Sequence, residues 1–358
     1  MKMKYYSLNK IIQFNADYNI IIGERSNGKT YACLWYALEQ YMKNGKQSAY
    51  IRRWREDITA KRAGSIYKSI DVPKATGGKF NYVVFRSGSL WLANYDENGK
   101  KYIYDKEPFM YVFALSNAEH DKSTSFPNVT TVIFDEFITR QYYLKDEFIL
   151  YMNTLSTIIR DRTGVKIFML GNTVNKFCPY FSEMGLKHVT EMEQGTIDIY
   201  KLDSLKIAVE YCAPTGKAKK SNKYFSFDNS KLEMIKGGAW ELDVYPHLSI
   251  KYTQRDILFT YFIRFDEQVL QCEIISKDNN VFTYIHAKTT PIKDENKDVI
   301  YQVDPSPKPN IKNNLLQHTN KLETIIASYF VRKKVFYQSN EIGEVVSNFI
   351  KETNKRVV

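Results

Sequence analysis

No stretch of this sequence is apolar enough to span a membrane, since none approaches the ~20 residues such a span needs, and the N-terminus lacks the apolar core of a secretory signal. Cysteine is scarce: Cys33, Cys178, Cys212 and Cys272 are scattered, without a C-x-x-C pair or a histidine spacing suited to zinc. A disulfide framework and a structural zinc site are thereby excluded, and the expectation is a reduced intracellular chain with no membrane partner. Proline is sparse too, at 10 residues against 27 tyrosines and 21 phenylalanines, a composition that argues against extended disorder. No internal repeat is visible. Acidic residues are outnumbered, 40 against 51 basic, which favours a polyanionic partner.

What is present begins with Gly23-Glu24-Arg25-Ser26-Asn27-Gly28-Lys29-Thr30, of the form G-x-x-x-x-G-K-[ST]. That is the phosphate loop of nucleoside triphosphatases, and it points to ATP with Mg²⁺. Gly23 and Gly28 permit a tight turn whose backbone N–H groups, including those of Arg25, Ser26 and Asn27, can surround phosphate oxygens. Lys29 opens a helix, so its ammonium and the positive helix end act together on the β- and γ-phosphates. The Thr30 hydroxyl is placed to complete Mg²⁺ coordination. An apolar strand, 18–22, precedes the loop and a helix-compatible run, 31–42, follows it.

A second element lies about 105 residues further on. Val129 to Phe134 is an apolar, β-branched run ending in Asp135-Glu136. Asp135, at the end of a buried strand, can reach Mg²⁺ through water, leaving Glu136 to polarise the attacking water. Residues 146–162 have helical spacing, with Phe148, Met152, Leu155 and Ile159 on one stripe and Gly164 just past the end. Arg160 and Arg162 close that helix. Either they complement its negative end or one of them reaches a neighbouring subunit's γ-phosphate; on a regular helix they point about 200° apart. The strand 165–170 leads to Asn172, which can sense the γ-phosphate or simply form a turn.

Positive charge is concentrated. Residues 1–240 hold 35 basic and 25 acidic side chains, whereas 241–358 hold 16 and 15. Arg52-Arg53-Trp54-Arg55 is a basic cluster that reads equally as a DNA-facing or nucleotide-sensing loop and as a solvated strand end. Residues 79–104 alternate as β-hairpins, with turns at Ser87-Gly88 and Asn98-Gly99. A more polar stretch, 181–240, contains the basic run Thr215 to Lys223. From residue 241 the pattern becomes antiparallel β, with strands expected at 248–252, 257–264, 269–275 and 281–287, then two amphipathic helices.

Taken together, these residues resemble the DNA-packaging ATPases of phi-29-type tailed phages. The likeness is strongest in Asn19 to Thr30, Tyr50-Ile51-Arg52-Arg53, Phe126 through Ile138, Ile159-Arg160-Asp161-Arg162 and Pro179-Tyr180-Phe181. The resemblance implies an α/β additional-strand P-loop ATPase (RecA/terminase-like) domain, 1–200, a linker subdomain, 201–240, and a C-terminal α+β RNase H-like domain, 241–358, that has lost its nuclease. It implies a homo-oligomeric ring, a pentamer, on the portal (connector) vertex of a prohead, translocating double-stranded DNA inward. The setting would be the cytoplasm of an infected bacterial host, transiently at that vertex; a packaging RNA is a further partner that the residues do not decide. By matching position, Arg160 would be the finger acting in trans, with Arg162 also near nucleotide. Lys122 would act between subunits at the nucleotide, and Arg55, with Arg53, would contact DNA. Arg25 within the phosphate loop is likewise a terminase-like feature.

RNase H-type cleavage needs several carboxylates around two metal ions. The expected strands 248–252 and 257–264 contain no acid, and Asp256, Asp266 and Glu267 fall at strand ends or turns, so no cutting is expected. Two other readings compete: a helicase or DNA-repair ATPase of the same core, and a non-catalytic ATP-dependent switch. The first lacks visible single-strand stacking platforms and helicase motifs; against the second stand Glu136 and Arg160.

Overall fold

The computed structural model describes residues 6–117, 125–140, 142–213, 240, 243–265, 267–317 and 319–354. By contacts the chain divides into two compact units, Met1–Glu241 and Leu242–Val358.

The first unit is built on β1 (Tyr18–Gly23), β2 (Gln47–Arg52), β3 (Tyr82–Arg86), β4 (Ser89–Tyr95), β5 (Tyr102–Tyr104), β6 (Met110–Ala114), β7 (Val129–Asp135), β8 (Lys166–Asn172), β9 (Ile197–Leu202) and β10 (Leu205–Tyr211). They form one sheet of order β3-β4-β6-β2-β7-β8-β1-β10-β9, with β5 on the flank of β4. From β6 to β10 every neighbouring pair is parallel. Parallel strands covered on both faces read as near-continuous apolar runs, and β1 is the example: Ile20, Ile21 and Ile22 are all fully buried. Because side chains alternate across a strand, Ile20 and Ile22 join one core and Ile21 the other. The helix Lys29–Asn44 covers one face with Cys33, Leu34, Ala37 and Leu38. The helix Glu147–Ile159 covers the other with Tyr151, Leu155 and Ile158. β8 lies between the phosphate-loop strand β1 and the acidic strand β7, which is the additional strand that the resemblance implies.

The hairpin β3–β4 turns at Ser87 (φ 48°) and Gly88 (φ 75°), the two positive dihedrals of a tight hairpin turn. A domain edge at residue 200 does not hold, because it falls inside β9. β9 pairs with β10, and β10 lies parallel to β1, so the sheet runs on to Tyr211. The basic run 215–223 lies outside the described residues. Trp240 packs back on the first unit, against Phe181 and Tyr211 at ring-centroid distances of 6.4 and 6.2 Å.

The second unit holds β11 (Ile257–Phe265), β12 (Gln268–Lys277), β13 (Asn280–Ala287), β14 (Ile300–Gln302), β15 (Ile311–Lys312) and β16 (Val335–Tyr337). Its sheet order is β15-β14-β11-β12-β13-β16. β11, β12 and β13 form an antiparallel meander, while β14 lies parallel to β11 and β16 parallel to β13. The helices Lys321–Val331 and Asn340–Thr353 are N-capped by Asn320 and Ser339 side chains. The strand expected at 248–252 is not formed; Tyr252 instead sends its hydroxyl to Glu273 at 2.6 Å. Glu273 also corrects the view that the acids here are solvated turn residues, since it sits mid-strand on β12 and is 5% exposed. Burial alone would raise its pKa, but hydrogen bonds from His286, Tyr252 and Gln271 hold it below the usual value. Among the described residues no group of three or more His, Cys, Asp or Glu side chains could hold a metal ion.

Candidate nucleotide site

The C-terminal ends of the parallel strands converge, as ligand sites in open α/β sheets do. Register places Gly23 of β1 beside Asn172 of β8, and Asp135 of β7 beside Leu170. Around these ends lies a cavity of about 1510 Å³ whose walls include Arg25, Ser26, Asn27, Lys29, Thr30, Asp135, Glu136 and Asn172.

The motif puts glycine where the loop backbone takes positive φ, which a residue with a Cβ rarely adopts. Gly23 has φ 154° and a Cβ there would stand 2.9 Å from the Cβ of Cys212, while Gly28 has φ 100°. Asn27 Oδ1 accepts the Lys29 amide at 3.1 Å, fixing the start of the helix. The Lys29 ammonium is 5% exposed and turned onto the loop itself: it donates to the carbonyls of Glu24 (2.7 Å) and Gly23 (3.3 Å) and to Asn172 Oδ1 (3.3 Å). Burial pushes its pKa down.

Thr30 Oγ1 donates to Asp135 Oδ1 at 3.2 Å, and Tyr50 donates its hydroxyl to Asp135 Oδ2 at 2.7 Å. Burial pushes the Asp135 carboxyl up, against the opposing pull of Arg52 and these donors. Glu136 is different: it has φ 61°, and its side chain is 56% exposed and paired with Arg52 Nη2 at 2.7 Å. Arg52 also lies 3.7 Å from Asp135 and 3.5 Å from Asp57. The donor set fits a magnesium nucleotide. Glycine turns, a helix N-terminus and a lysine suit phosphates, and a hydroxyl beside a carboxylate suits Mg²⁺.

Sequence reasoning passed over part of this. Tyr50 and Arg52 lie in the β2 segment, where only the basic cluster was legible. Tyr31 and Trp35, one helical turn apart, stack at 6.0 Å and continue the cavity wall. An aromatic pair at i and i+4 just after a phosphate loop is the signal that could have found them. Tyr6 straps the N-terminal segment to the loop through its amide to the Asn27 carbonyl (3.0 Å) and its hydroxyl to Glu210 (2.7 Å).

Three residues depart from expectation. Arg53 is no surface contact: it is 5% exposed and forks onto Glu147 at 2.7 and 2.9 Å, while also donating to the carbonyls of Glu136 (3.1 Å) and Phe137 (2.7 Å). It is pulled inward because Glu147 at the start of its helix is itself buried. Arg162 is committed to four carbonyls, those of Ile158, Ile159, Pro127 and Val129, so it clamps the helix end and does not line the cavity. The helix stops at Ile159 and Arg160 takes φ 52°, so the 200° relation between the two arginines does not apply. Arg160 is exposed and outside the lining of its own chain's cavity. Arg55 is exposed, its guanidinium 3.5 Å from Asn117. Lys122 lies outside the described residues.

The DNA packaging protein of Bacillus phage phi29 is 28% identical over 185 residues, covering 50% of this chain and 50% of that protein. That of Bacillus phage B103 is 27% identical over 179 residues, 49% and 50% of the two chains. The chain thus spans about half the length of the curated relatives it matches. Among solved structures, the bacteriophage Phi-29 viral genome packaging motor assembly aligns over 98% of this chain and 99% of its own, with TM-score 0.57 and 19% identity. The Phi-28 gp11 DNA packaging motor aligns over 99% of both, with TM-score 0.55 and 18% identity. At such identities the likeness is one of fold. The model of the podovirus DNA encapsidation protein (Gp16) family matches residues 1–213, more than half the chain, and this chain belongs to that family.

Proposed function

We propose that this chain is the ATP-hydrolysing subunit of a genome-packaging motor, driving double-stranded DNA into a preformed prohead from a ring of identical subunits at the portal vertex. The observation that carries the reading is the joined pair Thr30–Asp135 beneath Lys29, in a member of a DNA encapsidation family. In this reading the loop from Gly23 to Thr30 cradles the phosphates, and Thr30 with Asp135 holds Mg²⁺. Bound there, the metal neutralises charge on the phosphate oxygens. Lys29 exchanges the Gly23 and Glu24 carbonyls for phosphate oxygens. Glu136 leaves Arg52 and takes the proton of the attacking water. Arg160, turned outward, serves a neighbour's site in a pentamer, and the C-terminal unit, with Glu273 the partner of His286 and Tyr252, does not cut DNA.

The test compares Lys29→Ala with Glu136→Gln. Both should lose ATP turnover, with and without duplex DNA. Lys29→Ala should also weaken nucleotide binding, whereas Glu136→Gln should bind ATP and hold it. Wild-type turnover by Glu136→Gln would refute the assignment of the base. Strand displacement from a forked duplex by the wild type would favour the helicase reading instead.

A further inference from the structure

The outermost part of the first sheet carries a surface that the nucleotide site does not use. β4 is flanked by β3 on one side and by β5 on the other, over Tyr82↔Ala93 and Tyr95↔Tyr102. Along β3 and β4 one face is core, with Leu90 and Leu92 fully buried, whereas Ile103 of β5 on that same face is 59% exposed. A sheet face turned away from the core ordinarily alternates to polar residues. Here alternation delivers Tyr82, Trp91, Tyr95, Tyr102 and Tyr104 to the outer face. Tyr95 and Tyr102 stack at 4.5 Å with planes 20° apart, and Tyr82 meets Tyr95 edge-on at 5.0 Å. Trp91 and Tyr104 continue the row at 6.2 Å. Tyr82 and Tyr95 are 40% and 42% exposed.

The charges around the row are complementary to phosphate. The Arg86 guanidinium lies 4.9 Å over the Tyr104 ring, and Lys100 and Lys101 stand in the β4–β5 turn. Of the nearby acids Glu97 stands exposed in the same turn, while Asp96 and Asp105 are engaged within the fold. Asp96 accepts the amides of Lys100 and Lys101 at 2.6 and 3.1 Å, and Asp105 accepts the Tyr41 hydroxyl at 2.8 Å. Exposed aromatic faces interleaved with cations suit unpaired bases on a phosphate backbone; a duplex keeps its bases stacked on each other and offers them no such contact. Five strands separate β3 from β1 in the sheet, so the surface stands roughly 30 Å from the phosphate loop along the sheet.

We propose that the outer face of β3–β4–β5 is a stacking platform for the unpaired bases of a single nucleic-acid strand. This goes beyond duplex translocation, does not depend on ATP hydrolysis, and supplies a stacking surface that the sequence alone does not show. Cross-strand aromatic pairs also stabilise a hairpin, so the test must separate the two roles.

Fluorescence anisotropy with labelled 20-mers of oligo(U) and oligo(dT), with excess blunt duplex as competitor, measures the platform on the full chain. The wild type should bind single strands in the presence of that competitor. Tyr95→Ala and Tyr102→Ala should each weaken that binding about 5- to 150-fold, the range of one lost stacking contact. Tyr95→Phe, which keeps the ring, should bind as the wild type does, and all three should retain ATP affinity. Single-strand affinity unchanged in Tyr95→Ala and Tyr102→Ala overturns the proposal. So does a change in sedimentation in place of a change in binding, which would give the face to a second copy of the chain.

Discussion

Removing the guanidinium of Arg53 separates a buried brace from a DNA contact. Glu147 accepts from Arg53 Nε and Nη2, from the Leu144 amide (2.7 Å) and from the Tyr180 hydroxyl (2.8 Å). In Arg53→Met the carboxylate keeps two neutral donors and loses the guanidinium it pairs with, in a site where its side chain is 1% exposed. Breaking a buried pair from one side costs roughly 3–5 kcal/mol. For a body the size of the first unit, each kcal/mol is about 2–4 °C, so its melting midpoint should fall by roughly 6–20 °C. The double variant Arg53→Met/Glu147→Met removes both charges and should recover most of that loss, giving a coupling of ~2 kcal/mol or more in a double-mutant cycle. The assay is thermal unfolding followed by a probe of the first unit, run beside duplex-DNA binding over a salt series. An unchanged midpoint together with a salt slope reduced by about one would refute the brace and restore Arg53 as a phosphate contact.

Two further outcomes are open to measurement. Arg160→Ala should bind ATP normally and hydrolyse it poorly, by ~10³-fold or more, and mixing it with Lys29→Ala protein should restore turnover at mixed interfaces; absence of rescue removes the trans role. In the second unit, burial would raise the pKa of Glu323, but Lys312 at 2.7 Å and the Thr319 amide and hydroxyl bring it down to about 2. A depressed folded pKa gives stability that is full above the unfolded value of ~4.3 and is lost as pH falls towards about 2. The margin of wild type over Glu323→Gln in urea unfolding should therefore shrink across that window, and a constant margin would show that the charge is not what matters.

Where sequence reasoning succeeded, it used short-range rules. The phosphate loop, the strand ending at Asp135 and the hairpin turn at Ser87-Gly88 each follow from residues a few positions apart. It failed where a side chain's role depends on a distant partner. Arg52 and Arg53 are adjacent and chemically alike, yet alternation sends one to Glu136 in the open cavity and the other to Glu147 in the core. Nothing local predicts that Glu147, 94 positions along from Arg53, is buried. The end of the helix at Ile159 was hidden for a similar reason: Gly164 offered a plausible stop, but Arg162 drew its guanidinium onto the last carbonyls and closed the helix early. β10 and the end of β9 fall in the expected linker because β1, the partner of β10, lies almost 190 residues earlier, as the register Tyr18↔Ile207 makes plain.

The packing of Trp240 has a mechanical consequence. Cys212, just past β10, lies beside Gly23, where an added Cβ would stand 2.9 Å from its own, and its amide donates to the Ile22 carbonyl at 2.8 Å. Trp240, near the end of the first unit, packs on Tyr211, the residue just before Cys212. The last described residue of the first unit is therefore held by its indole, packed against Phe181 and Tyr211, and Tyr211 is the neighbour in sequence of the residue beside the first glycine of the phosphate loop. A change in the packing of that indole is felt within two residues of the turn that Gly23 opens.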